Sequence, residues 1–369
     1  MPLFSPDRST LVATLVVLAA ATSAGRAPAQ TAPAVHTPSG SLVVDSLARA
    51  FAEAHDLPSL VVGVSVGGER AVVGVGEVGG AAPNGQTLYE IGSVSKVLTA
   101  LALADAVTRD GVELGTPVAE LLPGWTVGAH ADGPVRLVDL ATHTSGLARL
   151  PPNYLVGSAN EDPYASYTPE LLRLSLENAR PATAPGAAFA YSNWGAGLLG
   201  FALAQRAGTT YGELVSERVL APLGLDETVL TVAPADTARF AAAHGPSGAP
   251  VPHWNWTEPT AGAGAWRSTA ADLLTLAEAA VAPAGTPLAD ALALSLDTHH
   301  AGPPAVGLGW FHGVLNGRPA VFHDGMVGGS ASFLGVVPEA GVAVVVLTNK
   351  QASVDALAVE ALGRLVAPE

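Results

Sequence analysis

The sequence predicts an α+β fold, an α/β sandwich in which one antiparallel sheet is built from both chain ends, flanked by helices, and interrupted by an all-helical lobe. Three observations predict it. Two β-rich runs split by a glycine pair stand near the start, further alternating or continuous apolar runs stand near the end, and the stretch between them carries helix signals. Joining the two early strands to the late ones gives a sheet of about five or more strands.

Residues 1–29 read as an export signal peptide, with Arg8 in a short polar start, an apolar run over 11–21, and Ala27-Pro28-Ala29 as a cleavage site before Gln30. The apolar run is too short to cross a membrane, which needs ~20 residues. A secreted or periplasmic chain without a membrane span is therefore expected after cleavage. Residues 30–40, rich in Ala, Pro and Thr, read as a flexible lead-in. The folded part is expected over 41–366, with an α/β lobe from 41–146 and 259–366 and the helical lobe over 147–258.

Residues 42–54 place Leu, Val and Ala at helical spacing. Strands are expected over 59–66 and 71–78, joined at Gly67-Gly68 as a hairpin. After Ser93 comes a helix that is apolar almost all round, with Val97, Leu98, Leu101, Leu103, Ala104 and Val107, and that ends at Asp110-Gly111. Such a helix must be buried. In the middle lobe, Thr168-Pro169-Glu170 starts a helix, with Thr as cap and Pro in the first turn. Thr269-Ala270-Ala271-Asp272 reads as a capping box opening another. Strands return over 306–314, 319–323, 331–337 and 341–348, the last two joined at Pro338-Glu339-Ala340-Gly341, and a final helix over 354–366 covers the sheet.

Composition narrows the function classes. There is no cysteine, which excludes disulfides, a thiol nucleophile and Cys-based zinc sites. A formal charge of −15 argues against nucleic acid or an anionic membrane surface as partner, since both demand a basic face. With 49% hydrophobic and 13% charged residues the chain is a globular one with a substantial core. The oligomeric state is not legible.

Lys96 and Lys350 are the two lysines of the chain, and Lys96 follows Ser93 by three positions. On a helix that spacing puts both side chains on one face, where an ammonium lowers the cost of deprotonating a hydroxyl. Ser93 also sits at a helix start, where unpaired N–H groups can stabilise an oxyanion; a serine there is equally a common helix cap. Tyr191-Ser192-Asn193 adds a phenol able to accept the serine proton beside an ammonium, and an amide able to orient Lys96 and a substrate carbonyl; in isolation the tripeptide is also a plain turn. His323-Asp324-Gly325, followed by Met326, ends a predicted strand. The glycine admits a substrate backbone to the strand edge, and the histidine is either a donor to a substrate carboxylate or carbonyl, or a satisfied edge residue.

These pieces, in this order and with these intervals, resemble the serine hydrolases that include class C β-lactamases, DD-peptidases, D-amino-acid amidases and β-lactamase-like esterases. The resemblance runs through Thr87-Leu88-Tyr89-Glu90-Ile91-Gly92-Ser93-Val94-Ser95-Lys96, Leu140-Ala141-Thr142-His143-Thr144-Ser145-Gly146-Leu147, Tyr191-Ser192-Asn193, the 263–272 segment and His323-Asp324-Gly325, and so over nearly all of the chain beyond the signal. It implies a β-lactamase/transpeptidase-like fold, Ser93 as nucleophile, Lys96 and Tyr191 as the proton-handling pair, and Asn193 as a substrate-positioning side chain. The N–H groups of Ser93 and Met326 would form the oxyanion hole, and no cofactor is implied. One departure stands out: β-lactamases of this family usually carry Lys where this chain has His323, and a histidine is mostly neutral at pH 7. His-x-Gly is similar to the peptidases, amidases and esterases.

Three other signals are set aside. Gly63-Val64-Ser65-Val66-Gly67 matches a nucleophile elbow, but a hairpin and a second strand follow where that motif needs a helix. His143 near Ser145 reads as part of a structural turn between lobes. His299-His300 lacks further ligands at recognisable spacing, so no metal is expected. Trp254 and Trp256, in a polar loop, either wall an acyl pocket or pin the loop to the core.

The expected function is an exported serine hydrolase acting through an acyl-enzyme on amide or ester bonds, of DD-peptidase or β-lactamase type, on D-Ala-containing peptidoglycan peptides or β-lactams. A carboxylesterase or D-amino-acid amidase is the alternative within the family. A non-hydrolysing penicillin or wall-peptide sensor is the alternative of another class, and the presence of Ser93, Lys96, Tyr191 and Asn193 together speaks against it.

Overall fold

A computed structural model describes residues 38–156 and 162–367. The expected signal peptide, and residues 30–37 of the expected lead-in, lie outside the described residues. In chain order the elements are α1 (Pro38–Ala54), β1 (Ser59–Val66), β2 (Glu69–Gly76), β3 (Tyr89–Glu90), α2 (Ser95–Asp110), α3 (Leu137–Ala141), α4 (Pro169–Glu177), α5 (Asn193–Ala207), α6 (Tyr211–Val215) and α7 (Ala221–Leu223). They continue with α8 (Glu258–Ala261), β4 (Arg267–Ser268), α9 (Ala270–Val281), α10 (Ala289–Leu296), β5 (Phe311–Leu315), β6 (Arg318–Met326), β7 (Ala331–Val337), β8 (Val342–Thr348) and α11 (Asp355–Leu365).

The six-stranded sheet has the order β2-β1-β8-β7-β6-β5, with every neighbouring pair antiparallel. The pairing of β1 with β8 joins the two chain ends, as the sequence predicts. Central strands β7 and β8 are buried at every position and read as continuous apolar runs, because helices cover both faces. Their side chains alternate between two cores. Val61, Leu334, Val336, Val345 and Leu347 face the larger core, with α2, α5 and α9. Leu60, Val62, Phe333, Val344 and Val346 face the smaller one, roofed by α1 and α11. Gly63 lets α9 approach closely, since a Cβ there would stand 3.0 Å from the Leu274 side chain. Among the described residues no helix is long and apolar enough to cross a membrane.

Several boundaries differ from the sequence expectation. Helix α1 begins at Pro38, so residues 38–40 belong to its first turn rather than to a flexible lead-in; a first turn tolerates Pro because its N–H groups have no intrahelical partner. Strand β2 covers 69–76 rather than 71–78, because the Gly67-Gly68 turn, with φ +57° and +87°, lets pairing begin at Val66 opposite Glu69. Strand β5 starts at Phe311 rather than 306, because Gly309, at φ +73°, runs the chain against α2, where a Cβ would lie 2.8 Å from the Lys96 carbonyl oxygen. Strand β6 extends past His323 to Met326. Thr269 caps α9 by accepting the Asp272 N–H at 3.2 Å. The Asp272 carboxylate turns elsewhere, to the Glu227 N–H and Thr228 hydroxyl, so only half of the expected capping box forms. In the middle lobe Thr168 caps α4 as predicted, and no strand of the sheets falls within 147–258.

Candidate active site

A turn of 3₁₀ helix over Gly92–Val94 leads into α2, and Ser93 sits in it, buried, at the base of the larger core. The i,i+3 spacing does what the sequence predicts: Lys96 Nζ donates to Ser93 Oγ at 3.0 Å. Lys96 is buried on an otherwise apolar helix, so its ammonium needs further partners. The Ala263 carbonyl oxygen accepts from it at 2.6 Å. The loop carrying that carbonyl is fixed on both sides, since Thr99 Oγ1 donates to Gly262 O at 2.8 Å and the Trp266 N–H donates to Ser95 Oγ at 3.1 Å.

Tyr191 arrives from the inserted lobe. Ser192 caps α5, accepting the Gly195 N–H at 2.9 Å and donating to Ala148 O at 2.7 Å, which fixes the residue before the cap. The Tyr191 hydroxyl then donates to Ser93 Oγ at 2.8 Å, and Lys96 Nζ stands 4.9 Å from the Tyr191 ring centre. Serine, ammonium and phenol thus meet at one oxygen. Asn193, the first residue of α5, donates through Nδ2 to the Tyr164 hydroxyl at 3.4 Å, and its Oδ1 is buried without a hydrogen-bond partner among the described residues. Burial raises the Tyr164 phenol above its ordinary range, so this tyrosine stays neutral where Tyr191 is the one beside the ammonium.

Strand β6 brings the third predicted segment alongside. Gly325 and Gly92 permit this approach: a Cβ at Gly325 would lie 2.2 Å from Ile91 O and 3.0 Å from Ser93 N, and one at Gly92 would lie 2.9 Å from Met326 N. Ser332 on β7 pins the turn by donating to Ile91 O at 2.7 Å. The backbone N–H groups of Ser93 and Met326 are therefore neighbours. His323 lies one alternation further along β6, on the face of Gly325, buried, with its ring 5.1 Å from Phe311. Its Nδ1 donates to the Asp324 carbonyl oxygen at 2.6 Å, which in the neutral ring leaves Nε2 an acceptor. A substrate carboxylate would thus be met by a donor only from the imidazolium.

The two tryptophans divide the roles that the sequence left open. Trp254 is buried against Tyr164 and Val327 and pins the loop. Its N–H reaches the buried Glu90 carboxylate, which also meets Arg267 at 3.2 Å and His253 at 3.0 Å. Trp256 is half-buried, stacks on Tyr164 at 4.2 Å, and lies over Gly264, where a Cβ would stand 2.7 Å from its ring. The aromatic group thus touches Gly264 beside the Ala263 carbonyl on one side and Gly328 beyond Met326 on the other. Ser65 stands in mid-strand β1 and donates to Glu278 at 2.7 Å, well apart from these groups. Among the described residues no three His, Asp or Glu side chains gather as a metal site.

Three contributors escape sequence reasoning. The Ala263 carbonyl is a backbone group and leaves no side-chain signature. Arg149, whose Cζ lies 5.1 Å from the Tyr191 ring centre, carries no motif. His143, read as part of a structural turn, is in ring contact with Tyr191, their centres 4.3 Å apart; its nearness to Ser145 in sequence pointed at the wrong partner.

A serine oxygen held by an ammonium and a phenol, beside two adjacent backbone N–H groups, is equipped for acyl transfer. The beta-lactamase family matches over residues 44–367. The chain is 29% identical over 318 residues to penicillin-binding protein 4 of Amycolatopsis lactamdurans, covering 80% of this chain and 81% of that protein. It is 33% identical over 162 residues to the D-alanyl-D-alanine-carboxypeptidase/endopeptidase AmpH of Escherichia coli strain K12, covering 44% and 41% of the two chains. It is 32% identical over 212 residues to a beta-lactamase of Pseudomonas fluorescens, covering 57% and 56%. The last two matches span about half the length of those relatives or less. With the fold, the site and these matches in agreement, the chain belongs to the beta-lactamase family of serine hydrolases.

Proposed function

We propose that the protein is an exported hydrolase that opens amide or ester bonds through an acyl-enzyme on Ser93. The observation that carries this reading is the position of Ser93 Oγ, 3.0 Å from Lys96 Nζ and 2.8 Å from the Tyr191 hydroxyl. The ammonium favours the phenolate form of Tyr191, and the phenolate takes the serine proton along the line between the two oxygens. Ser93 Oγ attacks the substrate carbonyl carbon, and the N–H groups of Ser93 and Met326 receive the oxyanion. Collapse breaks the C–N or C–O bond, and the leaving group takes the proton from Tyr191. Water then attacks the acyl ester, gives its proton to the same pair, and frees Ser93. Asn193, with its buried Oδ1, positions the amide or ester against the serine. This chemistry needs no cofactor.

The substrate reading is a D-Ala-containing wall peptide or a β-lactam, supported by relatives named as a penicillin-binding protein, a D-alanyl-D-alanine-carboxypeptidase/endopeptidase and beta-lactamases. The N-terminal sequence supports secretion or a periplasmic location, where such substrates occur. A second reading, a carboxylic ester, is favoured by the acceptor Nε2 of His323, which offers a substrate carboxylate no permanent cation, and by the aromatic group at Trp256. Intact-mass spectrometry of the wild type and Ser93→Ala after benzylpenicillin decides between them. A lasting Ser93-dependent adduct or hydrolysed drug supports the first reading; neither, with p-nitrophenyl ester cleavage retained, supports the second.

A further inference from the structure

His143 stands in a buried turn after α3, and its backbone takes φ +58°, a left-handed conformation uncommon outside glycine. Every polar contact that fixes it runs to the residues on either side of Tyr191. Its carbonyl oxygen accepts the Ala190 N–H at 2.7 Å, and its Nδ1 accepts the Ser192 N–H at 3.2 Å. Between those two bonds the imidazole lies against the Tyr191 ring, centres 4.3 Å apart and planes 37° apart, while the Phe189 ring meets it edge-on at 5.9 Å. Because Nδ1 accepts, the neutral ring carries its proton on Nε2.

We infer that His143 is a positioning residue for the reaction: it clamps the backbone before and after Tyr191 and backs its ring, and so sets the phenol oxygen over Ser93 Oγ. The inference rests on the reading of Tyr191 as the proton carrier. Tyr191 enters the site from a loop ahead of α5, where no strand pairing holds it, and a hydroxyl that must stand 2.8 Å from Ser93 needs its ring plane and backbone fixed. Lys96 and His143 also line one small cavity together with Leu140, Ala141, Ala196 and Leu199, so the turn and the ammonium share a wall that is apolar apart from themselves and Thr99. A residue replacing His143 must accept from Ser192 and tolerate the left-handed backbone. Asn does both, its Oδ1 standing in for Nδ1, whereas Leu does neither.

The test uses the full chain and a fluorophosphonate probe, whose covalent capture reports the reactivity of Ser93 whatever the natural substrate. The inactivation rate constant and the probe's binding constant are measured for wild type, His143→Leu, His143→Asn, Tyr191→Phe and the Tyr191→Phe/His143→Leu pair, with circular dichroism as the control for folding. Expected is a rate constant about 10- to 100-fold lower in His143→Leu with binding within about twofold, and recovery to within about threefold of wild type in His143→Asn. In the Tyr191→Phe background, His143→Leu should change the rate by less than about twofold, because the two residues act as one. An equal loss in both backgrounds, or an Asn variant as impaired as Leu, overturns the inference. If His143→Leu does not fold, His143→Gln replaces it, since its longer side chain carries the amide past the Ser192 N–H. Undiminished labelling of Ser93→Ala would instead overturn the acyl-enzyme reading, a result distinct from either of these.

Discussion

The hydroxyl of Tyr191 lies 2.8 Å from Ser93 Oγ, although 98 positions separate the two in the chain. Ser93 starts a helix of the sandwich and Tyr191 precedes a helix of the inserted lobe, so the reactive oxygen sits on the seam between the two. Both sides must hold their geometry for the proton to move.

Lys96 joins Ser93 to the Ala263 carbonyl, and its charge is what lets Tyr191 act as a base near neutral pH. Lys96→Ala is expected to lower kcat/KM by about 10²- to 10⁴-fold, the range for a lost proton-handling group. Steady-state kinetics on a p-nitrophenyl ester checks this, and a loss below about tenfold would remove Lys96 from the proton path.

At Gly325 a methyl group would meet Ile91 O at 2.2 Å and Ser332 Oγ at 2.4 Å, the two atoms whose bond pins the turn of Ser93. Gly325→Ala is expected to cost about 1–3 kcal/mol of stability through overpacking. It should also lower kcat by about 10²- to 10³-fold as the neighbouring N–H groups move apart. Thermal melts and kcat, measured on one preparation, read the two effects separately.

Trp256 stacks on Tyr164 and lies over Gly264, next to the carbonyl that holds Lys96. If its face supports the acyl group, Trp256→Leu should cut the preference for phenylacetyl over acetyl p-nitrophenyl esters by about three- to tenfold, the worth of one aromatic contact. An unchanged ratio of kcat/KM would leave Trp256 as a loop support alone.

His323 offers Nδ1–H to the Asp324 carbonyl, so only its protonated form has a donor left at Nε2. KM for carboxylate-bearing substrates is therefore expected to fall as pH drops through the imidazole range, while KM for neutral esters stays level. A flat profile for both would take His323 out of carboxylate recognition.

Burial, with His299 nearby, holds the His312 imidazole below its ordinary range, and its Nε2 is buried without a hydrogen-bond partner among the described residues. The folded state thus resists a proton that the unfolded chain accepts. The stability contributed is present above the unfolded imidazole value of about 6.5 and is lost as pH falls toward the lower folded value. His312→Leu should flatten the fall in Tm between about pH 7 and 5 relative to wild type. A parallel fall in both would show that other groups carry it.

Much of this molecule is legible in its sequence because the relevant signals are local. The i,i+3 pair of Ser93 and Lys96, the glycine hairpin at Gly67-Gly68, the Thr168 cap and the continuous apolar runs of β7 and β8 each act within a few residues, through backbone geometry and solvent exclusion. The start of β5 was not legible, because Gly309 gives up strand geometry to pass against the Lys96 helix, a contact between segments more than two hundred positions apart. The same holds for Asp272, drawn from its own cap to Thr228, and for His143, whose partner is Tyr191 rather than its neighbour Ser145. Sequence by itself determined which elements form and which side chains can carry the chemistry. Only the tertiary structure decided which carbonyl holds the ammonium and which imidazole backs the phenol, because those contacts join segments far apart in the chain and exist only once the lobe has packed against the sandwich.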